Sequence, residues 1–157
     1  MRAVIQRVIE ASVEVDSKGI SRIGHGLLVL LGVAKVDGES DVRSMVDKVA
    51  SLRIFADEQG KMNRSLVDVQ GQALIVSQFT LLGDTTKGRR PGFDRAAPPD
   101  LARALYDQVV TGLKARGISV EIGVFGAHMV VSLQNDGPVT FVLNTRSEMP
   151  SGHADGE

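Results

Sequence analysis

Three short segments hold most of the residues that could do chemistry. The first is Ser77-Gln78-Phe79-Thr80, which follows directly on the apolar run Ala73-Leu74-Ile75-Val76. Polar side chains at the end of a buried strand need partners, because an unpaired buried polar group costs on the order of 1–3 kcal/mol. They either close one end of a sheet as an internal network or face a substrate. The second segment is Asn135-Asp136-Gly137-Pro138. These are turn formers, so the local expectation is a plain turn between two strands. A Gly-Pro step can also be cis at modest cost, which lets neighbouring carbonyls point the same way and offers a rigid surface made of backbone alone. The third is the loop Thr85 to Phe93, where Lys87, Arg89 and Arg90 cluster beside glycines. It suits phosphate oxygens, or it is simply a solvated loop.

Other chemistries are excluded by what the chain lacks. There is no GxSxG elbow, P-loop, HExxH or GxGxxG pattern. The absence of cysteine removes disulfides, thiolate zinc sites and a cysteine nucleophile. His25 lies between two glycines, His153 lies near the end of the chain, and strand parity turns His128 outward if Ala127, Met129, Val131 and Leu133 face the core. No histidine is thus an obvious general base, and no cluster has metal-ligand spacing, so neither a metal nor a cofactor is expected. The 157 residues carry a net charge of −1, so a nucleic-acid partner would have to be met by a local basic patch. With few aromatics and no tryptophan, a broad stacking platform for single strands is not expected. The opening Met1 to Arg7 does not read as a signal peptide, and no apolar run approaches the roughly 18 residues of a membrane span. The expectation is a soluble cytoplasmic protein with no membrane partner.

The elements that would position these segments follow from periodicity. Val4 to Ile9 and Ser12 to Val15 alternate as a strand, a turn at Ser17-Lys18-Gly19 leads to a short strand near Ile20 to Ile23, and Leu27 to Leu31 reads as a strand buried on both faces. Val42, Met45, Val46, Val49 and Leu52 share one helical face, with Ser40 or Asp41 placed to cap it. A turn falls at Asp57 to Gly60. Residues 83–97 read as one long loop. Pro98-Pro99-Asp100 opens a second helix that carries Leu101, Leu105, Val109 and Leu113 and stops at Gly117. Three strand-like stretches follow: Ile118 to Val124, Met129 to Leu133, and Val139 to Leu143. The pattern predicts an α+β fold, a curled mixed sheet or barrel with two main helices packed outside, over residues 1–146 as one domain. Residues 147–157 read as a disordered tail.

Taken together, MRAVIQRVIEASV, GLLVLLGV, SQFTL, KGRRPGF followed by AAP, and FGAHMVVSLQNDGPVTF resemble the D-aminoacyl-tRNA deacylase family. The segments occur in that family's order from residue 1 to about 145, with Gly92 where a serine is common and an extra polar tail as the departures. The resemblance implies hydrolysis of the ester between a D-amino acid and the terminal ribose of tRNA, and cleavage of glycyl-tRNA, such as glycine mischarged on tRNA-Ala. It implies a homodimer with shared active sites, in which Gly137-Pro138, with a cis bond, enters the partner subunit's pocket and selects chirality, braced by Arg7. Ser77, Gln78, Phe79 and Thr80 would form the catalytic segment, with the Phe79 N–H as an oxyanion donor. Thr80 is the nucleophile by residue type, but without a base its hydroxyl is weak, so a ribose hydroxyl of the substrate would activate the water instead. Phe125 and Met129 would line the terminal adenosine pocket, or else serve as core packing, while Lys87, Arg89 and Arg90 would meet tRNA. Two rival readings fit the same residues: a non-catalytic RNA-binding module and a small-molecule esterase.

Overall fold

The computed structural model describes residues 1–146, so the expected disordered tail from residue 147 lies outside the described residues. Among the described residues the strands are β1 (Arg2–Val15), β2 (Lys18–Ile23), β3 (Gly26–Gly32), β4 (Phe55–Ala56), β5 (Met62–Arg64), β6 (Gln72–Ser77), β7 (Ser119–Ile122) and β8 (Val130–Asn144). The helices are α1 (Glu39–Ser51) and α2 (Pro99–Ala115). The main sheet runs β2-β1-β3-β6-β7, and β8 lies along β1. β1 is antiparallel to β2, β3 and β8, whereas β3, β6 and β7 are parallel, so the sheet is mixed, as the sequence predicts. It curls until β2 approaches β6 and β7. There the Ser21 hydroxyl donates to the Ile122 carbonyl at 2.7 Å, and the Gly24 N–H donates to Gln72 Oε1 at 2.8 Å.

Alternation along the strands splits the core in two. Leu27, Val29, Leu31, Ala73 and Ile75 face the helices and pack with Met45, Val49, Val109 and Leu113. Leu28, Leu74 and Val76 face the inside of the curl and pack with Val8, Ala11, Val13 and Ile23. This burial on both faces accounts for the uninterrupted apolar runs of β3 and β6. β1 changes parity on the way. Ala3 and Ile5 face the helices, whereas Ala11 and Val13 face the curl, and the pairing with β8 slips between Val8 and Glu10. The irregularity re-aims the second half of the strand, as bulges do.

Several expectations need correcting. α1 is capped by Gly38, not by Ser40 or Asp41, and Asp41 sits inside the first turn and accepts the Gly38 N–H at 3.0 Å. The Asp57 to Gly60 turn closes a small hairpin, β4–β5, that short polar sequence did not announce. β7 ends at Ile122 rather than Val124, and the two stretches Met129 to Leu133 and Val139 to Leu143 are one continuous strand. Leu133, expected in the core, is exposed.

Asp41 also ties the start of α1 to the chain that follows β8. Its carboxylate accepts from the Thr145 hydroxyl at 2.6 Å and from Arg146 at 2.9 Å. Burial opposes its charge, but the hydrogen bonds from Thr145, Arg146 and Gly38 outweigh burial and bring its pKa down to about 2. A depressed carboxylate contributes stability above its unfolded pKa and loses it as pH falls through the folded value. Asp41→Asn is therefore expected to lower unfolding free energy at pH 7 by about 2 kcal/mol. Urea titrations of both proteins should show that gap narrowing below pH ~4 and closing toward pH ~2; a gap unchanged down to pH ~2.5 would exclude this linkage.

Candidate active site

Ser77 is the last residue of β6 and pairs with Leu31 of β3. The pairing continues one step further, because the Gln78 N–H donates to the Leu31 carbonyl at 2.8 Å. The chain then folds into a 3-10 turn over Phe79–Leu82. That turn lies close against β3. A Cβ at Gly32 would stand 2.9 Å from the Gln78 carbonyl oxygen and 2.5 Å from Leu82 Cδ2, so only glycine permits the approach. The first amides of a helical turn have no acceptor within it, so the Phe79 N–H remains a donor at the end of the strand.

A cavity of about 550 Å³ opens beside this segment. Ser77, Gln78 and Phe79 line one wall, and Phe125, His128 and Met129 line another. Ala96, Ala97 and Pro99, at the entry to α2, close a third. Two aromatic contacts stiffen these walls. Phe79 meets Phe93 edge to face at 5.1 Å, and Phe125 lies 5.9 Å from Tyr106, whose hydroxyl is fixed to the Ile75 carbonyl at 2.7 Å. Burial holds the Tyr106 phenol far above its ordinary pKa, so it acts as an anchor rather than an acid. The Arg103 guanidinium stands 5.7 Å above the Phe125 ring.

Five of the expected site residues thus meet at one cavity: Ser77, Gln78, Phe79, Phe125 and Met129. Thr80 is exposed, does not line the cavity, and accepts a hydrogen bond from the Gln78 amide. Lys87, Arg89 and Arg90 are exposed on a loop that is less free than expected. Asp84 and Gly92 exchange backbone hydrogen bonds of 2.7 and 2.9 Å across its base, and Ala34 bridges Ala96. His128 was expected to face outward. It is exposed, yet it also lines the cavity. Parity missed this because Phe125 to Met129 lie before β8 begins, where strand alternation does not apply. Among the described residues, no group of three His, Cys, Asp or Glu could hold a metal ion.

Gly137 and Pro138 lie elsewhere, midway along β8. Gln6 pairs with Thr140 and Val8 with Asn135, so residues 136–139 bulge out opposite Arg7 alone. The expected turn is therefore an excursion within one strand, and its Gly137-Pro138 bond is cis. Arg7 fills the gap. Its Nε donates to the Asp136 carbonyl at 3.0 Å, one Nη donates to the Ile54 carbonyl at 2.8 Å, and Asp136 Oδ2 lies 3.5 Å from Nε. Asn135 closes the base like a surrogate peptide, accepting the Val139 N–H at 2.6 Å and donating to the Val139 carbonyl at 3.1 Å. Gly137 has φ +143, and a Cβ there would come within 2.6 Å of Val139 Cγ2, so the position requires glycine. Gly137 and Pro138 are both exposed, and neither lines the cavity of its own chain.

Comparison with known proteins agrees with this architecture. A family described as D-Tyr-tRNA(Tyr) deacylase matches residues 4–144. The D-aminoacyl-tRNA deacylase of Thermosipho africanus is 56% identical over 146 residues, covering 93% of this chain and 98% of its own length. That of Kosmotoga olearia is 57% identical over 148 residues, with 94% and 99% covered. Among solved structures, a c-Myc DNA unwinding element binding protein superposes with a TM-score of 0.86 at 42% identity, covering 92% of this chain and 98% of that one. A probable eukaryotic D-amino acid tRNA deacylase shares the fold, with a TM-score of 0.76 at 23% identity and 90% and 97% coverage. Helices, curled sheet and cavity together define an α+β protein of the deacylase fold. The chain belongs to the D-Tyr-tRNA(Tyr) deacylase family.

Arg7→Lys removes the fork that spans Asp136 and Ile54 and is expected to cost about 1–3 kcal/mol. Hydrogen exchange should then quicken at Val139 and its neighbours while β3 and β6 stay protected. Uniform quickening across the sheet would mean that Arg7 supports the whole fold rather than the excursion.

Proposed function

We propose that this protein hydrolyses the ester joining a D-amino acid to the terminal ribose of tRNA, releasing free D-amino acid and tRNA, and so proofreads chirality in translation. The observation that carries the reading is the family match across residues 4–144, which takes in the cavity and the Gly137-Pro138 excursion together. Phe125 and Met129 hold the terminal adenosine, with the Arg103 guanidinium over the Phe125 ring. Water attacks the ester carbon, and the negative charge that develops on the carbonyl oxygen is met by the Phe79 N–H. Ser77 and Gln78 shape the wall beside it. Thr80 lies off the cavity and has no base beside it, so the reading gives it no nucleophilic role. A ribose hydroxyl of the substrate activates the water.

Chirality is read by exclusion across a homodimer. Gly137-Pro138 of one subunit enters the partner's cavity, and its carbonyls hold the substrate's α-amino group. An L side chain would then strike backbone, which cannot move aside, while a D side chain points outward. Glycyl-tRNA, lacking a side chain, is cleaved as well. Two features support the dimer. The long strand β8 pairs on one side with β1 and with no described strand on the other, and it exposes Leu133, Phe141 and Val142. Lys87, Arg89 and Arg90 meet the tRNA backbone. No helix among the described residues is long and apolar enough to cross a membrane, and we place the protein in the cytoplasm, where its substrate is made.

The test is ester loss from matched D- and L-aminoacyl-tRNA. Cleavage of the D form alone is expected, and equal cleavage of free D-amino-acid esters would point instead to a small-molecule esterase. Thr80→Ala and Thr80→Val should keep most single-turnover activity, and so should His128→Ala. Abolition by both Thr80 variants with binding intact would restore Thr80 as nucleophile, and abolition by His128→Ala would move the proton transfer from substrate to protein.

A further inference from the structure

A second cavity, of about 370 Å³, lies beside the first. One strip of backbone lines both. Ala34 bridges Ala96, the Lys35 N–H donates to the Arg95 carbonyl at 3.0 Å, and the Ala97 N–H donates to the Val33 carbonyl at 2.9 Å. Val33, Ala96 and Ala97 border the first cavity, while Ala34, Lys35 and Arg95 border the second. Two cations therefore rise from a rigid bridge, both on exposed residues. Arg2 and Arg146 complete the basic lining against two carboxylates, Asp37 and Asp94. Asp37 is buried and already engaged. Its oxygens accept the Ala34 N–H and the Met1 amine, each at 2.6 Å, with Arg146 Nε at 3.6 Å. Asp94 is exposed and is the one carboxylate at the mouth that opposes an anion. In a chain of net charge −1, four basic residues around one cavity are a local feature rather than part of a general field.

We infer that this second cavity binds phosphate groups of the tRNA acceptor strand immediately upstream of the terminal adenosine, with Lys35 and Arg95 as the contacting cations. The inference rests on the hydrolase reading above, in which the first cavity takes that adenosine. A strand leaving the first cavity across the shared strip carries a phosphate at every nucleotide, and flexible cations on a fixed backbone suit such sequence-independent contacts. Arg2 and Arg146 are held by protein acceptors, Arg2 by Asn144 and Leu81 and Arg146 by Asp41, and they shape the floor.

The test compares the wild type with the double variant Lys35→Ala, Arg95→Ala on two substrates, D-aminoacyl-tRNA and 3′-D-aminoacyl-adenosine, across a salt series. On tRNA the variant is expected to show KM raised about tenfold at low salt with kcat held, and a salt dependence of log(kcat/KM) shallower by roughly 1.4–1.8. On aminoacyl-adenosine the two proteins should be equal. Lys35→Arg with Arg95→Lys should restore tRNA kinetics. Unchanged tRNA kinetics, or equal loss on both substrates, would overturn the assignment. A changed response to added adenosine monophosphate with unchanged tRNA kinetics would assign the cavity to a free nucleotide and also overturn it. Failure of the wild type to cleave either substrate would instead defeat the hydrolase reading itself, and this inference with it.

Discussion

β3 and β6 lie side by side in parallel from Gly26–Gln72 to Leu31–Ser77, and the place where that pairing runs out decides where the site is. Both strands are buried on both faces, so a slip of one residue would exchange the helix-facing and curl-facing side chains along the whole run. The register is thereby fixed, and with it the point at which Ser77 and Gln78 leave the sheet. Gln78 makes the last backbone bond to β3, and the next residues turn against Gly32. A donor at Phe79 is thus held by the most constrained part of the core, which suits a group that must meet developing charge without reorganising.

The second candidate segment depends on the opposite circumstance, a pairing that is interrupted. β1 and β8 run antiparallel for almost their full lengths, yet residues 136–139 have no partner but Arg7. An unpaired stretch of this kind would leave backbone carbonyls unsatisfied. Arg7 meets the Asp136 carbonyl with one arm of its planar fork and the Ile54 carbonyl with the other, and Asn135 supplies a side-chain amide where a strand would supply a peptide. The excursion is consequently rigid but presents backbone outward. A chiral filter that met the substrate with the backbone of this excursion would be indifferent to the nature of the D side chain.

The first cavity shows how little titratable chemistry the protein brings to the candidate site. It is bordered mainly by apolar residues, with His128 as its one ionisable lining group, whereas the second carries Lys35 and Arg95 on the shared strip and Arg2, Arg146, Asp37 and Asp94 around it. Under the proposed reading, hydrolysis in such a setting would rely on placement of a reactive ester and on backbone donors rather than on a nucleophile and base supplied in pairs. The aromatic pair Phe79–Phe93 joins the site wall to the basic loop, so the loop's base is tied to the chemistry even though its cations are not.

By itself the sequence determined the element types and the segments of interest. Period-two alternation marked β1, continuous apolar runs marked β3 and β6, and helical spacing marked α1 and α2, because burial against a core imposes those periods locally. Family motifs carried Ser77 to Thr80 and Gly137-Pro138 to notice together. What tertiary structure alone decided concerns partners far apart in the chain. Asn135 to Pro138 read as a turn because turn chemistry is local, while its true state depends on β1 pairing with both flanks of the same strand. Gly38 rather than Ser40 caps α1, and Asp41, inside its first turn, is engaged by Thr145 and Arg146, more than a hundred residues away. His128 joined the cavity wall because the chain before β8 does not alternate. Lys35 and Arg95 carried no signal in sequence at all, since only the bridge between Ala34 and Ala96 brings them to one rim.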